Sequence, residues 1–544
     1  VQRKMVTPNW FDRVILDLGR QVRWTFLPPL MIYFSYGVSG LTAIVGTFFV
    51  KDYLGLSAAF LAGIAFWAGL PWALKMPLGH LVDLIWRFKF LLVYLGAGLI
   101  AASLLIMYLL ITDPAGMAAV MPIAAWYVLS VLLAPCGYVI QDAVADAMSV
   151  EAVPRFDAHG EPIPEDSSKA MHTTMQTLGR FSLISGTVAV ALLNIFMFSG
   201  AENLAQEEKA AIYARVYLLA LAIPVISISG VVLAGVQRRI LRRRLVAMGK
   251  PVGDVEIALG RSEDPVKPNH WYFTGGLIFV ALTLTIGLSD VAYAQEIVFA
   301  GSMAIVLFLM RQLISVLDRD KARALVGTAI IIFVFRAVPL PGPGATWFEI
   351  DVLGFDEQFL SVLSLITSVL TLAGIILLRP MMARRPITSI VILLTLVGGM
   401  LSLPNIGLYF GLHHWTAAMT GGVVDARFIA IMDTMVESPL GQVAMIPMLA
   451  WIARNAPAHL KATFFAVMAS FTNLALSASA LATKYLNHIY TITREVRDRT
   501  TGVVELAADY SQLGWLLITV AVLGVVLPLV TIAAVQMSRL HTTD

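Results

Sequence analysis

The residues of this chain that could do chemistry are charges placed where charge is expensive. Lys75 stands between Pro71 and Pro77 in "FWAGLPWALKMPLGHLVDLIWRFKF" (66–90), Asp142 and Asp146 in "VIQDAVADAMSV" (139–150), and Arg180 in "TLGRF" (177–181). Arg336 falls near the end of "AIIIFVFRAV" (329–338), and Glu437 in "DTMVESP" (433–439). A charge at the centre of a bilayer costs about 2.5–3.5 kcal/mol on insertion scales, so such groups normally face a bundle interior or a watery cavity and pair with one another. Two chemistries follow: holding a charged solute, and exchanging a proton. Asp142 and Asp146 lie four residues apart on one helical face, and clustered carboxylates can hold a proton near neutral pH. Asp142 is the first candidate for proton coupling; Asp146 sits nearer the membrane boundary and suits a gate. No catalytic or metal set is expected. His413 and His414 are adjacent but lack any H-E-x-x-H or comparable spacing, and no G-x-x-x-x-G-K-[ST] is present, so no cofactor, ATP site or nucleic-acid partner is foreseen.

The elements that must carry these residues are membrane helices. Of 544 residues 58% are hydrophobic and 13% charged, against roughly 25% charged in soluble chains, and the mean hydropathy is +0.80. Apolar segments long enough to cross a bilayer recur near 25–50, 58–80, 90–112, 120–150, 170–198, 212–236, 271–290, 292–316, 323–342, 358–378, 387–411, 428–453, 461–487 and 512–536. Alternating these fourteen spans puts 26 Lys and Arg on one side and 8 on the other, with Lys75, Arg180, Arg311 and Arg336 inside spans. The positive-inside rule makes the richer side, which holds both termini, cytoplasmic; a bacterial inner or plasma membrane is expected. Cys136 is the single cysteine and permits no intrachain disulfide. The N-terminus shows no short apolar core with a cleavage site. Instead Phe11, Val14, Ile15, Leu18 and Val22 make a helical stripe, read as an amphipathic surface helix within 1–24.

An internal repeat orders the spans. "GTFFVKDYLGLSAAFL" (46–61) and "ATWFEIDVLGFDEQFL" (345–360) match at constant offset, polar and glycine positions included. The expected organisation is an all-α integral membrane protein with a six-helix lobe over 25–236, a basic linker over 237–270, an inserted helix pair over 271–316, a second six-helix lobe over 317–536, and a tail over 537–544. Parallel repeats of this kind mark two-lobed transporters with a site between the lobes near mid-membrane. At 1.5 Å per residue, Lys75 and Asp142 lie about 12 Å, and Arg180 about 15 Å, from their inner boundaries. Three helices thus contribute to one charged layer of net +1, suited to an anion. Asp146 lies lower, at about 6 Å, while Arg336 and Glu437 lie at about 20 and 22 Å and could pair across the second lobe. Trp67, Trp72, Trp126, Tyr127, Tyr138 and Phe181 offer aromatic surface near the layer. Alternatives stand beside each role: Lys75 could snorkel to the interface, Arg180 could staple two spans, and the aspartates could serve a gate alone.

Gly79, Leu81, Asp83, Arg87 and Lys89 form G-x-L-x-D-x-x-x-R-x-K in the inner loop between the second and third spans. This resembles the inner-loop signature of the major facilitator superfamily, with Asp83 and Arg87 in gating roles. Within it, "LPWALKMPLGHLVD", "QDAVADAMSVE", "TLGRF" and "PAHLKATFFAVMASFTNLALSASAL" (457–481) resemble the folate-biopterin transporter family, through Pro71, Trp72, Lys75 and Pro77, then Asp142, Asp146, Val150 and Glu151. Met76 between the lysine and its proline, the valine before Asp83 and the inserted pair depart from that pattern. The resemblance implies a secondary transporter for a pterin, folate or similar organic anion; with the depth reading, Lys75, Asp142, Arg180, Trp72 and Arg336 are the candidate substrate contacts, Asp146, Asp83, Arg87 and Glu437 the candidates for proton coupling or gating, and a proton the candidate coupling ion. The other reading is a non-transporting scaffold or assembly factor that docks on another membrane protein through 271–316. The acidic, Pro-rich inner loop 151–169 reads as a tether, and the polar outer segment 489–511 is long enough for a short structured element.

Overall fold

In the computed structural model of this chain, the described residues are 22–540 except 51–55, 86–87, 154–162, 202–203, 205, 250, 252, 254, 256–269, 288–290, 316–317, 379–380, 382–384, 441–442, 444–460 and 498–503. The amphipathic stripe apart from Val22, Arg87, residues 154–162 of the tether and about half of the basic linker therefore lie outside them.

The N-terminal half runs α1 (Leu27–Val38), α2 (Ala43–Phe49), α3 (Ala58–Gly69), α4 (Lys75–Leu84), α5 (Phe90–Thr112), a short α6 (Pro114–Val120), α7 (Ile123–Ala152), α8 (Glu165–Met197), α9 (Gln206–Ala220) and α10 (Ala222–Ala247). Next come α11 (His270–Gly287) and α12 (Ala294–Ile314). The C-terminal half runs α13 (Arg319–Arg336), α14 (Pro343–Asp351), α15 (Glu357–Leu377), α16 (Ile387–Tyr409), α17 (Leu412–Met419), α18 (Ala426–Glu437), α19 (Lys461–Ile489), a two-stranded antiparallel hairpin of β1 (Val496–Arg497) and β2 (Val504–Leu506), and α20 (Leu513–Met537). The hairpin is the structured element expected in the 489–511 segment.

Ten helices or helix runs among the described residues are long and apolar enough to cross a membrane by length and composition. The fourteen expected segments all carry helix, but α11, α13, α18 and α19 fall outside those ten. The reasons are local. α11 is short, and α13 opens on Arg319, Asp320, Lys321 and Arg323. α18 gives way to a 3-10 turn at Ser438–Leu440. α19 is interrupted by Ser470, Thr472, Ser477, Ser479, Thr483 and Asn487, all buried, so its polarity faces other helices.

Two glycine crossings fix the helices that matter for the site. A Cβ on Gly37 of α1 would lie 1.9 Å from the Leu183 carbonyl oxygen of α8, and one on Gly186 would lie 2.7 Å from the Phe34 oxygen, so the two backbones touch only because both positions lack side chains. Gly96 of α5 and Gly137 of α7 make the same reciprocal contact, each 2.6 Å from the other's carbonyl oxygen. The second span is broken instead of continuous: Pro71 opens a 3-10 turn over Leu70–Leu74 between α3 and α4, because proline offers no N–H to the helical ladder. Lys75 is the first residue after that turn.

The inserted pair is packed on one face and open on the other. Phe279 of α11 and Val298, Val306, Leu309 and Met310 of α12 share one apolar core with Phe66 and Leu70 of the second span and Val467, Met468, Phe471 and Leu474 of α19. Its other face exposes Trp271, Leu277, Leu284 and Phe308. The two halves also meet where Tyr213 of α9 donates its hydroxyl hydrogen to Glu357 Oε1 of α15 at 2.6 Å, with Lys209 Nζ at 3.8 Å; both Glu357 and Tyr213 are buried.

Candidate functional site: a lysine held by two aspartates

Lys75 emerges from the 3-10 turn toward α7 and meets both aspartates. Its Nζ donates to Asp142 Oδ2 at 2.6 Å and lies 2.7 Å from Asp146 Oδ2. The lysine and Asp142 side chains are 18% and 17% exposed and Asp146 41%, so the pair is largely withdrawn from solvent while one carboxylate keeps access to it. Asp146 Oδ1 accepts a 2.7 Å hydrogen bond from the hydroxyl of Tyr33, which is buried on α1. Charge-assisted contacts this short are about twice as strong as neutral ones. Removing one partner from such a pair leaves the other charge exposed to the low-dielectric interior.

Arg180 on α8 is exposed and lies within electrostatic reach of Asp142 and Tyr36. No ion pair within 4.0 Å engages it among the described residues, in contrast to Lys75. The Gly37–Gly186 crossing sets its distance from α1. Beside these charges three rings assemble: Tyr36 packs at 5.6 Å from Trp72, with planes at 54°, and at 5.5 Å from Tyr138, with planes at 62°. Trp72 belongs to the same 3-10 turn that delivers Lys75. From the other half of the molecule Asn473 Nδ2 reaches the Trp72 carbonyl oxygen at 3.4 Å. A cation, a lysine–aspartate cluster and an aromatic wall drawn from four spans can hold a flat anionic solute.

Other expected residues sort differently. Asp83 is in α4 with its backbone described and its side chain outside the described set, and Arg87 is outside it altogether, so the loop signature is visible mainly through Lys89. Lys89 is fully buried, and its Nζ pairs with Glu151 Oε2 at 2.6 Å; Glu151 Oε1 accepts from Arg238 at 2.9 Å. This triad ties the start of α5 to the ends of α7 and α10. Arg336 is half-buried at the end of α13 and Glu437 is exposed at the end of α18; the structure does not join them in an ion pair. Asp433 instead accepts from Asn405 Nδ2 at 3.0 Å. Of the aromatics, Trp67 packs against Phe66 and over Gly287 of the inserted pair, and Trp126 donates to the Met117 carbonyl oxygen, so neither lines the cluster.

The expected layer thus gains Asp146, which had been assigned to the gate, and with it loses the surplus charge: Lys75 and Arg180 are balanced by Asp142 and Asp146. Sequence reasoning missed Tyr33, Tyr36 and Asn473. Tyr33 and Tyr36 are phenols three residues apart inside an apolar span, a readable sign of an inward polar face, although their partners were not readable. Among the described residues no group of three or more His, Cys, Asp or Glu could hold a metal ion.

Comparison with known proteins bears on the family and the fold. The sequence profile of the BT1 family matches residues 168–543. A "Folate-biopterin transporter" of Synechocystis sp. is 24% identical over 507 residues, 91% of this chain and 81% of that protein. Among solved structures, a POT family transporter in complex with 5-aminolevulinic acid is 13% identical over 95% of this chain and 96% of its own, with a TM-score of 0.58. A POT family transporter bound to a thioalcohol-conjugated peptide covers 97% of both chains at 13% identity and TM-score 0.56. A mutant of the nucleoside transporter NupG covers 94% and 99% at 12% identity and TM-score 0.53. At such identities the likeness is one of fold: the helical architecture here is similar to that of these three structures.

Proposed function

The chain belongs to the BT1 family, a family of membrane transporters, and from that premise we propose that it is a secondary transporter of a pterin, folate or similar organic anion. It works by alternating access between two six-helix lobes, 25–236 and 317–536, with 271–316 as an inserted pair. The observation that carries this reading is the Lys75–Asp142–Asp146 bridge beside Arg180 and the Tyr36–Trp72–Tyr138 wall. Arg180 receives the anionic group, and the rings stack on the flat heterocycle, an arrangement that offset aromatic pairs favour by about 0.5–1.5 kcal/mol beyond area burial.

Charge balance supports proton coupling. With both aspartates ionised the cluster and Arg180 sum to zero, so an entering anion leaves the site net negative unless a proton enters too. A proton on either aspartate would release one of the two holds on Lys75. Both termini are cytoplasmic by the distribution of Lys and Arg. The scaffold reading stands as the second one: the inserted pair shares a core with both halves on one face and exposes Trp271, Leu277, Leu284 and Phe308 on the other.

Uptake into proteoliposomes tests the proposal. Wild-type protein accumulates a folate or pterin faster under an inward proton gradient, and Lys75→Ala with Arg180→Ala does not accumulate it. Equal accumulation by both proteins would remove the proposed site.

A further inference from the structure

The polar head of the inserted pair is a separate device, with its own chemistry at the seam between the lobes. At the start of α12, Gln295 Nε2 donates to the Gly63 carbonyl oxygen of α3 at 3.2 Å. From the opposite lobe Lys484 Nζ of α19 donates to Gln295 Oε1 at 2.9 Å and to Glu296 Oε1 at 3.2 Å, and the Tyr485 hydroxyl donates to the same Glu296 oxygen. Two adjacent side chains therefore grip one lobe through a backbone carbonyl and the other through a lysine and a tyrosine. Glu296 lies in the first turn of α12, where the helix dipole favours a carboxylate. The chain enters this turn through Tyr293 at φ 61°, the one non-glycine residue with positive φ among the described residues, a conformation that costs roughly 1–2 kcal/mol and is held by the contacts that follow it.

The two legs below this head stand on different lobes. α11 rests on the second span, where a Cβ on Gly276 would come within 2.8 Å of Pro77, and one on Gly287 within 3.1 Å of Trp67. α12 packs mainly along α19. Because α3 and α19 face each other across the seam, rocking the lobes apart at this end pulls the legs in different directions.

We propose that the inserted pair is a strap across the lobe seam, and that the Gln295–Glu296 head clasps Gly63 on one side and Lys484 and Tyr485 on the other to hold this end of the transporter closed. Opening requires the clasp to release. This rests on the two-lobe, alternating-access reading but not on any substrate, so its test uses none.

The reporter is Ala59→Cys in a Cys136→Ser background. Ala59 is 6% exposed and lines a cavity of about 170 Å³ at the same end of the seam, between α3 and Asn487 and Thr491 beyond it. Maleimide labelling of the purified protein in detergent reads how often that end opens. Lys484→Met and Glu296→Gln should each raise the labelling rate about fivefold, the effect of losing one net hydrogen bond of about 1 kcal/mol, while Lys484→Arg stays near the parent rate. Gln295→Met, which removes the hold on Gly63 and one of the two acceptors of Lys484, should raise the rate in the same direction and carries the test if the charge variants do not fold. Parent rates in the folded Lys484→Met, Glu296→Gln and Gln295→Met proteins overturn the strap. Failure of anion uptake with labelling raised would instead fall on the transport reading alone.

Discussion

The stretches 46–61 and 345–360 match in sequence, yet the helices that follow them pack with different chemistry. Extended from the 46–61 and 345–360 match, the constant offset puts Gly374 of α15 opposite Lys75. In the N-terminal half that position carries a lysine bridged to α7 through Asp142 and Asp146. In the C-terminal half it carries a glycine, and a Cβ there would lie 2.2 Å from the Pro439 carbonyl oxygen: the helices close backbone to backbone. At this one position the first half is held by charge, which a solute or a proton can perturb, and the second by shape, which neither can. Binding and coupling should therefore be concentrated in the first half, with the second as a stiff counterpart.

The largest break in this asymmetry is Lys75→Met. It leaves Asp142 and Asp146 facing each other without their cation, a loss of the kind that costs about 3–5 kcal/mol, so uptake should fall at least about 100-fold and the melting temperature should drop. Melting unchanged and uptake retained would show the bridge to be incidental. Arg180→Ala comes next: it removes a cation without disturbing a described ion pair, so the protein should melt as before while the affinity for a folate or pterin weakens roughly tenfold, the scale of one charged hydrogen bond. Calorimetric titration separates the two effects. In the C-terminal half Glu437→Gln and Arg336→Met should each change uptake by less than about threefold; a larger loss in either would place substrate or coupling chemistry in both halves.

The repeat itself offers a smaller and sharper test. Val50 is buried near the start of the first copy, and the equivalent position in the second copy is Glu349, on α14, outside the spans. Burial lifts the Glu349 carboxyl from 4.5 to about 7. The folded chain thus keeps a proton that the unfolded chain releases, so the stability contributed by the neutral form is complete below about pH 4.5 and is lost as pH rises through about 7. Glu349→Gln, which fixes the neutral state, should raise the melting temperature at pH 8 by about 2–4 °C and leave it little changed at pH 4.5. A shift of equal size at both pH values would assign the effect to packing.

Much of this was open to reading in one dimension. Apolar runs are long and local, and the cost of desolvating a charge is a property of the residue, so the helical membrane class and the unusual status of Lys75, Asp142 and Arg180 followed from composition and position. Rise per residue placed them in a common layer because a helix converts sequence distance into depth. It could not tell which of two carboxylates a long, flexible lysine reaches. Lys75 reaches both, across a turn that Pro71 permits, and that cancelled the expected positive surplus.

The sequence by itself determined which charges fall inside apolar segments and that the chain is built of membrane helices, since both depend on short-range chemistry along the chain. Only the tertiary structure decided who meets whom: Tyr33 with Asp146, Tyr36 with Trp72 and Tyr138, and Gln295 and Glu296 with residues of both halves. Those contacts join positions from tens to hundreds of residues apart, and they depend on helix crossings, such as Gly37 on Gly186, that appear only when backbones approach in three dimensions.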